Sequence, residues 1–136
     1  MYIRKINVTI LFLILLSFNA CIEESDYVGD FTFTNQSGLN LKITGTQLNE
    51  PINILNNQSY TLKVSGIGGY GFPFPDNKTD SAILNFSDKK QLIYHGRNEN
   101  EVNNICIIKN YKRININKHY QKYEYTVLKE DYERAK

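Results

Sequence analysis

Tryptophan is absent from this 136-residue chain, methionine occurs once, proline three times and cysteine twice. Cys21 and Cys106 form no CxxC or Cys/His spacing, which excludes a disulfide framework and a metal site readable from sequence. Their surroundings differ so much that they are not expected to pair. Charge of one sign is also lacking. The 16 basic and 14 acidic side chains give a formal +2, far from the balance of a strongly basic nucleic-acid binder. No apolar run approaches the roughly 20 residues that a spanning helix needs. No repeat of solenoid or propeller length occurs. What the chain does have is 10 Tyr, 7 Phe and 41% apolar residues, which suits one packed domain.

The first 21 residues read as an address. Arg4 and Lys5 give a positive start, and residues 10–16 are an unbroken apolar run that collapses at Ser17, Phe18, Asn19 and Ala20. Ala20 stands directly before Cys21. This resembles a bacterial lipobox, with Phe18 where Leu is usual and Asn19 where a small residue is usual. The resemblance implies cleavage before Cys21, diacylglycerol on its thiol and a fatty acyl chain on its new amino group. A plain secretory signal with an incidental cysteine and an uncleaved anchor are the alternatives. Each buried lipid methylene contributes about 0.8 kcal/mol, so several chains hold a protein to a lipid bilayer. Glu23, Glu24 and Asp26 follow. Acids just behind such a cysteine resemble the surface-export signals of some Bacteroidetes-type lipoproteins; otherwise they are a solvated tether. Two of the 16 basic residues and none of the 14 acids precede Cys21, so cleavage leaves 14 of each and no net charge. Such a domain has no net pull on nucleic acid or anionic lipid.

Residues 21–29 carry no periodic pattern and read as the lipidated tether, with the domain over 30–136. From Asp30 the signal is alternation of period two. Phe31 and Phe33, a turn at Asn35-Gln36-Ser37-Gly38, then Leu39, Leu41 and Ile43 predict a hairpin with one wet face. Further strands are predicted at Ile52–Ile54, around Tyr60, Leu62 and Val64, around Ala82, Leu84 and Phe86, at Leu92-Ile93-Tyr94 and around Tyr123, Tyr125 and Val127. Ile114 and Ile116 mark one more, paired to the last. Ile105-Cys106-Ile107-Ile108 reads as a central strand with Cys106 buried as a small hydrophobe. A short C-terminal helix over residues 129–135 needs docking by Tyr132. Seven or eight short strands predict an all-β fold, a small β-sandwich with the immunoglobulin type as its nearest template; a small barrel is the rival.

Chemistry is sparse. Gly66, Gly68 and Gly71 satisfy GxGxxG by letter, but Phe72-Pro73-Phe74-Pro75 follows where a helix would have to start, so nucleotide binding is rejected. Tyr70, Phe72 and Phe74 in this stretch either make an exposed contact surface for a protein or glycan, or fold back over an open end of the sandwich. Residues 109–122 hold five basic side chains and no acid, with Tyr111 and Tyr120 between them. That pattern can bind an acidic polymer, and it equally describes a solvated hairpin balanced by acids such as Glu99 and Glu101. His95 and His119 complete no ligand set, and Asp76, Asp80 and Asp88 fall in loops and turns. No catalytic motif and no cofactor is implied.

The segments around Phe31 and residues 35–38, the strand Tyr123-Glu124-Tyr125-Thr126 and the ending from Glu130 to Ala135 resemble small Bacteroidetes-type lipoproteins of unknown function. The resemblance implies compartment and fold class and brings no catalytic residues. Asp80-Ser81-Ala82 is similar to the O-glycosylation signal of such exported proteins, and equally is a polar strand entry. The functional expectation is a non-enzymatic binding or accessory module on the outer membrane, lipid-anchored through Cys21, with an envelope protein or glycan as partner and no nucleic acid. A small-ligand carrier or enzyme with an internal pocket is the alternative.

Overall fold

Alternation of apolar and polar residues becomes eight strands in the computed structural model, which describes residues 26–46, 48–67, 72–74, 80–96, 98–116 and 120–136. In chain order they are β1 (Asp26–Asn35), β2 (Leu41–Gly45), β3 (Ile52–Ile54), β4 (Ser59–Ile67), β5 (Ser81–Phe86), β6 (Gln91–His95), β7 (Lys112–Asn115) and β8 (Tyr120–Val127), followed by a helix α1 (Lys129–Arg134). They form two four-stranded sheets, ordered β4-β1-β8-β7 and β3-β2-β5-β6. The fold is therefore a small β-sandwich rather than a closed barrel. β1 and β8 run parallel, and the other pairs are antiparallel. In the immunoglobulin arrangement the first, second, fourth and fifth strands share a sheet; here the first shares its sheet with the fourth, seventh and eighth.

The core lies between the sheets and is largely aromatic. Phe31 and Phe33 of β1 meet Tyr123 and Tyr125 of β8 in register. Phe31 stacks on Tyr123 with ring centroids 4.8 Å apart, and Tyr111 meets Phe31 edge-on at 5.9 Å. Such pairs add about 0.5–1.5 kcal/mol to the gain from burial. Leu41, Ile43, Ala82, Leu84 and Phe86 supply the opposing layer, with Tyr94 beside them.

Several expectations change in three dimensions. The segments around residues 31–33 and 39–43 are not a hairpin, because β1 and β2 lie in different sheets. Residues 35–40 form a corner, and Asn35 holds it. Its fully buried amide donates to the Leu39 and Ile54 carbonyls at 2.7 and 3.1 Å, while its oxygen accepts from the Ser37 amide and hydroxyl at 3.1 and 2.7 Å. Gly38 takes φ +92°, a conformation open to glycine. Residues 26–29, expected to be part of a tether, instead pair with β4. Residues 105–108 are not a strand. They run through a turn into a 3-10 turn (Ile108–Asn110), although Ile105 and Cys106 are buried as expected. Asn104 sets that path: its oxygen accepts from the Cys106 amide at 2.8 Å and its NH₂ group donates to the His95 and Asn98 carbonyls. The strand around Ile114 does pair with β8, over Lys112–Asn115.

The C-terminal helix docks through Tyr132, as its pattern predicts. The ring meets Phe86 edge-on at 5.3 Å, its hydroxyl donates to Asp88 at 2.9 Å, and the Lys90 ammonium sits 4.6 Å above it. Lys136 then exchanges two backbone hydrogen bonds with Gln91 of β6.

Candidate functional site

The two open sides of the sandwich are closed differently. On the side of β6 and β7, the segment between those strands drops Ile105, Cys106 and Tyr111 into the core. On the side of β3 and β4 the cover is incomplete. Tyr60, Leu62 and Val64 of β4 stand on the inward face of their sheet, opposite Phe33, Phe31 and Gly29. The strand facing them, β3, is only three residues long and is entered from Pro51. Residues 48–51 and Phe72-Pro73 cover part of the remainder.

What is left is a solvent-open groove of about 640 Å³ along the β4 edge, walled by Leu48, Ile52, Tyr60, Leu62, Val64 and Phe72. That volume lies in the range of ligand-binding clefts. Tyr60 keeps 41% of its surface exposed. Glu50 and Lys63 bring one charge of each sign to the rim. A shallower depression of about 340 Å³, lined by Lys42, Asn53, Asn85 and Leu55 among others, lies across β2, β3 and β5.

The aromatic stretch singled out from sequence adjoins this groove and divides in two. Phe74 is 1% exposed; it packs edge-on to Phe33 at 5.7 Å and lies against Gly45, where an added Cβ would be 3.7 Å from its ring. It is a core residue and presents no face to a partner. Phe72 is half-buried, within 6.0 Å of the rings of Phe31, Phe74 and Tyr111, and its remaining surface forms a groove wall. Tyr70 and Cys21 lie outside the described residues.

The basic stretch 109–122 also resolves into parts. Tyr111 is in the core and donates to the Ile105 carbonyl at 2.7 Å; burial drives its phenol well above the ordinary range. Tyr120 donates to Asp30, and that bond raises its phenol too. Lys109 pairs with Glu99, and Lys112 with Glu124 at 3.2 Å. Glu101 instead accepts from Asn98, Asn104 and the His95 amide. Cys106 is buried, and desolvation pushes its thiol up to about 12, far from a reactive thiolate. His95 is exposed, Asp80 half-buried and Asp88 committed to Tyr132 and the Lys90 amide. His119 and Asp76 lie outside the described residues. Among the described residues no group of three or more His, Cys, Asp or Glu converges to hold a metal, and no helix is long and apolar enough to cross a membrane.

The densest polar cluster escapes any linear reading. Asp131 of α1 is 2% exposed and receives four donors: the Tyr94 hydroxyl at 3.0 Å, Asn103 Nδ2 at 2.8 Å, the Leu128 amide at 2.8 Å and the Arg134 guanidinium. Arg134 also donates to the Tyr94 oxygen at 2.7 Å. Burial and then the Asp131 charge raise the Tyr94 phenol far above its ordinary value. Every group here is satisfied internally, and the cluster fastens α1 to β6.

Sequence finds the β4 strand and its alternation but misses the groove, because the length of the strand opposite decides how much of a face is covered. The chain matches no protein-family model, no curated protein and no solved structure.

Proposed function

We propose that this chain is a lipoprotein of a bacterial outer membrane, held through acylated Cys21, whose sandwich serves as a non-enzymatic binding or accessory module for an envelope partner. The observation that carries the proposal is the N-terminal segment: Arg4 and Lys5, the short apolar run of residues 10–16 and Ala20 directly before Cys21. The acids behind Cys21 favour the surface-facing side. β1 begins at Asp26, five residues after Cys21. An extended chain covers at most about 3.6 Å per residue, so the sandwich would start no more than roughly 18 Å from the lipid. The start of β1 and the end of β4 then lie close to the bilayer, and the groove opens beside it. The zero formal charge of the cleaved chain leaves partner choice to local contacts.

Mass spectrometry of the protein from its own cell tests the anchor. The expected mature N-terminus is Cys21 carrying a diacylglyceryl thioether and an amide-linked acyl chain. Cys21→Ser should move the protein from the membrane to the soluble fraction and abolish fatty-acid labelling. An unacylated mature N-terminus, or one that begins elsewhere, overturns the proposal.

A further inference from the structure

We infer that the outer edge of β4 takes up an extended peptide strand of a partner protein, one with a carboxylate side chain opposite Lys63 and apolar side chains at alternate positions. The accessory-module reading supplies its biological setting; the edge and groove themselves stand on geometry alone.

The four sheet edges are not alike. β3 has three residues and is entered from a proline. β7 has only four. β6 exchanges hydrogen bonds with Lys136. β4 has nine residues and no proline, and among the described residues it pairs on one side only, with β1. At about 3.3 Å per residue it offers roughly 30 Å of backbone donors and acceptors. Edges of that kind are templates for strand addition unless something blocks them.

The side chains of β4 specify the added strand. By strand alternation Tyr60, Leu62 and Val64 turn to the inner face of the sheet and Ser59, Thr61, Lys63 and Ser65 to its outer face, in register with Thr34, Thr32 and Asp30 at Ser59, Thr61 and Lys63; Lys63 and Ser65 also border the groove at the strand's edge. A strand laid alongside would send every second side chain into the groove, where apolar groups gain, and the others to the polar face. At the middle of that polar face is Lys63. Among the described residues no carboxylate forms an ion pair with it: Asp30, its neighbour across β1, is buried, accepts from Tyr120 through Oδ2, and keeps Oδ1 buried without a hydrogen-bond partner.

Charge then selects the occupant. Lys63 is the midpoint of Ser59–Ile67, so a second copy paired antiparallel along the whole edge sets Lys63 against Lys63. Like charges directly opposite destabilise a strand pair, whereas opposite charges support it. The edge discourages self-pairing and accepts a strand with an acid at that position.

A charge-swap titration tests this. Two dye-labelled peptides matched in length to β4, with valine and threonine alternating and either Glu or Lys at the central position, are titrated into the full chain in detergent and read by fluorescence anisotropy. The Glu peptide should bind about tenfold more tightly than the Lys peptide. Lys63→Glu, an exposed change whose fold is checked by circular dichroism, should reverse the order. Amide exchange should slow along β4 when the Glu peptide binds. Equal affinities, no reversal, or no binding of either peptide overturns the inference. So does a dimer of the protein alone with β4 amides protected, which would make the occupant a second copy. Acylation of Cys21 does not enter this titration, so a failure here leaves the anchor standing, and an unacylated Cys21 leaves the peptide result standing.

Discussion

Asp131 shows how much one side chain can carry in a small sandwich. An ionised carboxylate is acceptor-only, and four donors converge on it. Asp131→Ala leaves Tyr94, Asn103 and the Leu128 amide without their acceptor, while Arg134, partly exposed, recovers water. The expected loss is about 3 kcal/mol, read as a lower urea midpoint at unchanged slope. Asp131→Asn should not rescue. Its amide has one accepting oxygen, so its NH₂ must face either the Asn103 and Leu128 donors or the Tyr94 and Arg134 pair. A loss of about 2 kcal/mol is expected for it. A full rescue by Asn would mean that shape, not acceptor count, holds the helix. Nothing in the linear pattern marks Asp131, because its partners come from positions 94, 103, 128 and 134 and meet only after the sheets pack.

At the scale of elements, Asn35 decides which sheet the chain enters after β1. Its two donors answer carbonyls on the corner and on β3, so it ties β1 to the opposite sheet. Asn35→Asp is almost isosteric and replaces those donors with an oxygen facing the Leu39 and Ile54 carbonyls. It should cost about 3 kcal/mol, more than most substitutions of equal volume, again by urea denaturation. An Asn35→Asp protein as stable as the parent would remove the corner argument. The same element shows what sequence could and could not yield. Alternation at Phe31, Phe33, Leu41 and Ile43 states which face of each strand is buried, and that survives in the structure. It does not state which strand lies next door. A short polar turn with Asn and Gly serves a hairpin and an inter-sheet corner alike, and buried hydrogen bonds decide between them. The run at residues 105–108 misled for a related reason, since a continuous apolar stretch has no period to separate strand from packed turn. The candidate site was legible in part: Phe72 reaches the groove and Phe74 does not, because Phe74 packs edge-on to Phe33 inside the core.

For the molecule as a whole, the aromatic core fixes how stability responds to alkali. Burial raises the phenols of Tyr94, Tyr111 and Tyr125 far above their ordinary value of 10.0, and the Cys106 thiol from 9.0 to about 12. These groups are neutral when protonated, so the folded state keeps protons that the unfolded chain gives up. Below pH 9 both states hold them and stability is unaffected. Above about pH 9–10 the unfolded chain ionises first, and each such group costs about 1.4 kcal/mol per further pH unit until its folded value is reached. Several groups act together, so the loss should steepen sharply near pH 11. Phenolate absorbance at 295 nm from the buried tyrosines should therefore appear only as circular dichroism reports loss of the sheets. Lowering the protein's stability with urea should pull that phase to lower pH. Full phenolate absorbance reached with the sheets intact would show that water reaches these rings, and the filled core between the two sheets would then be the wrong description.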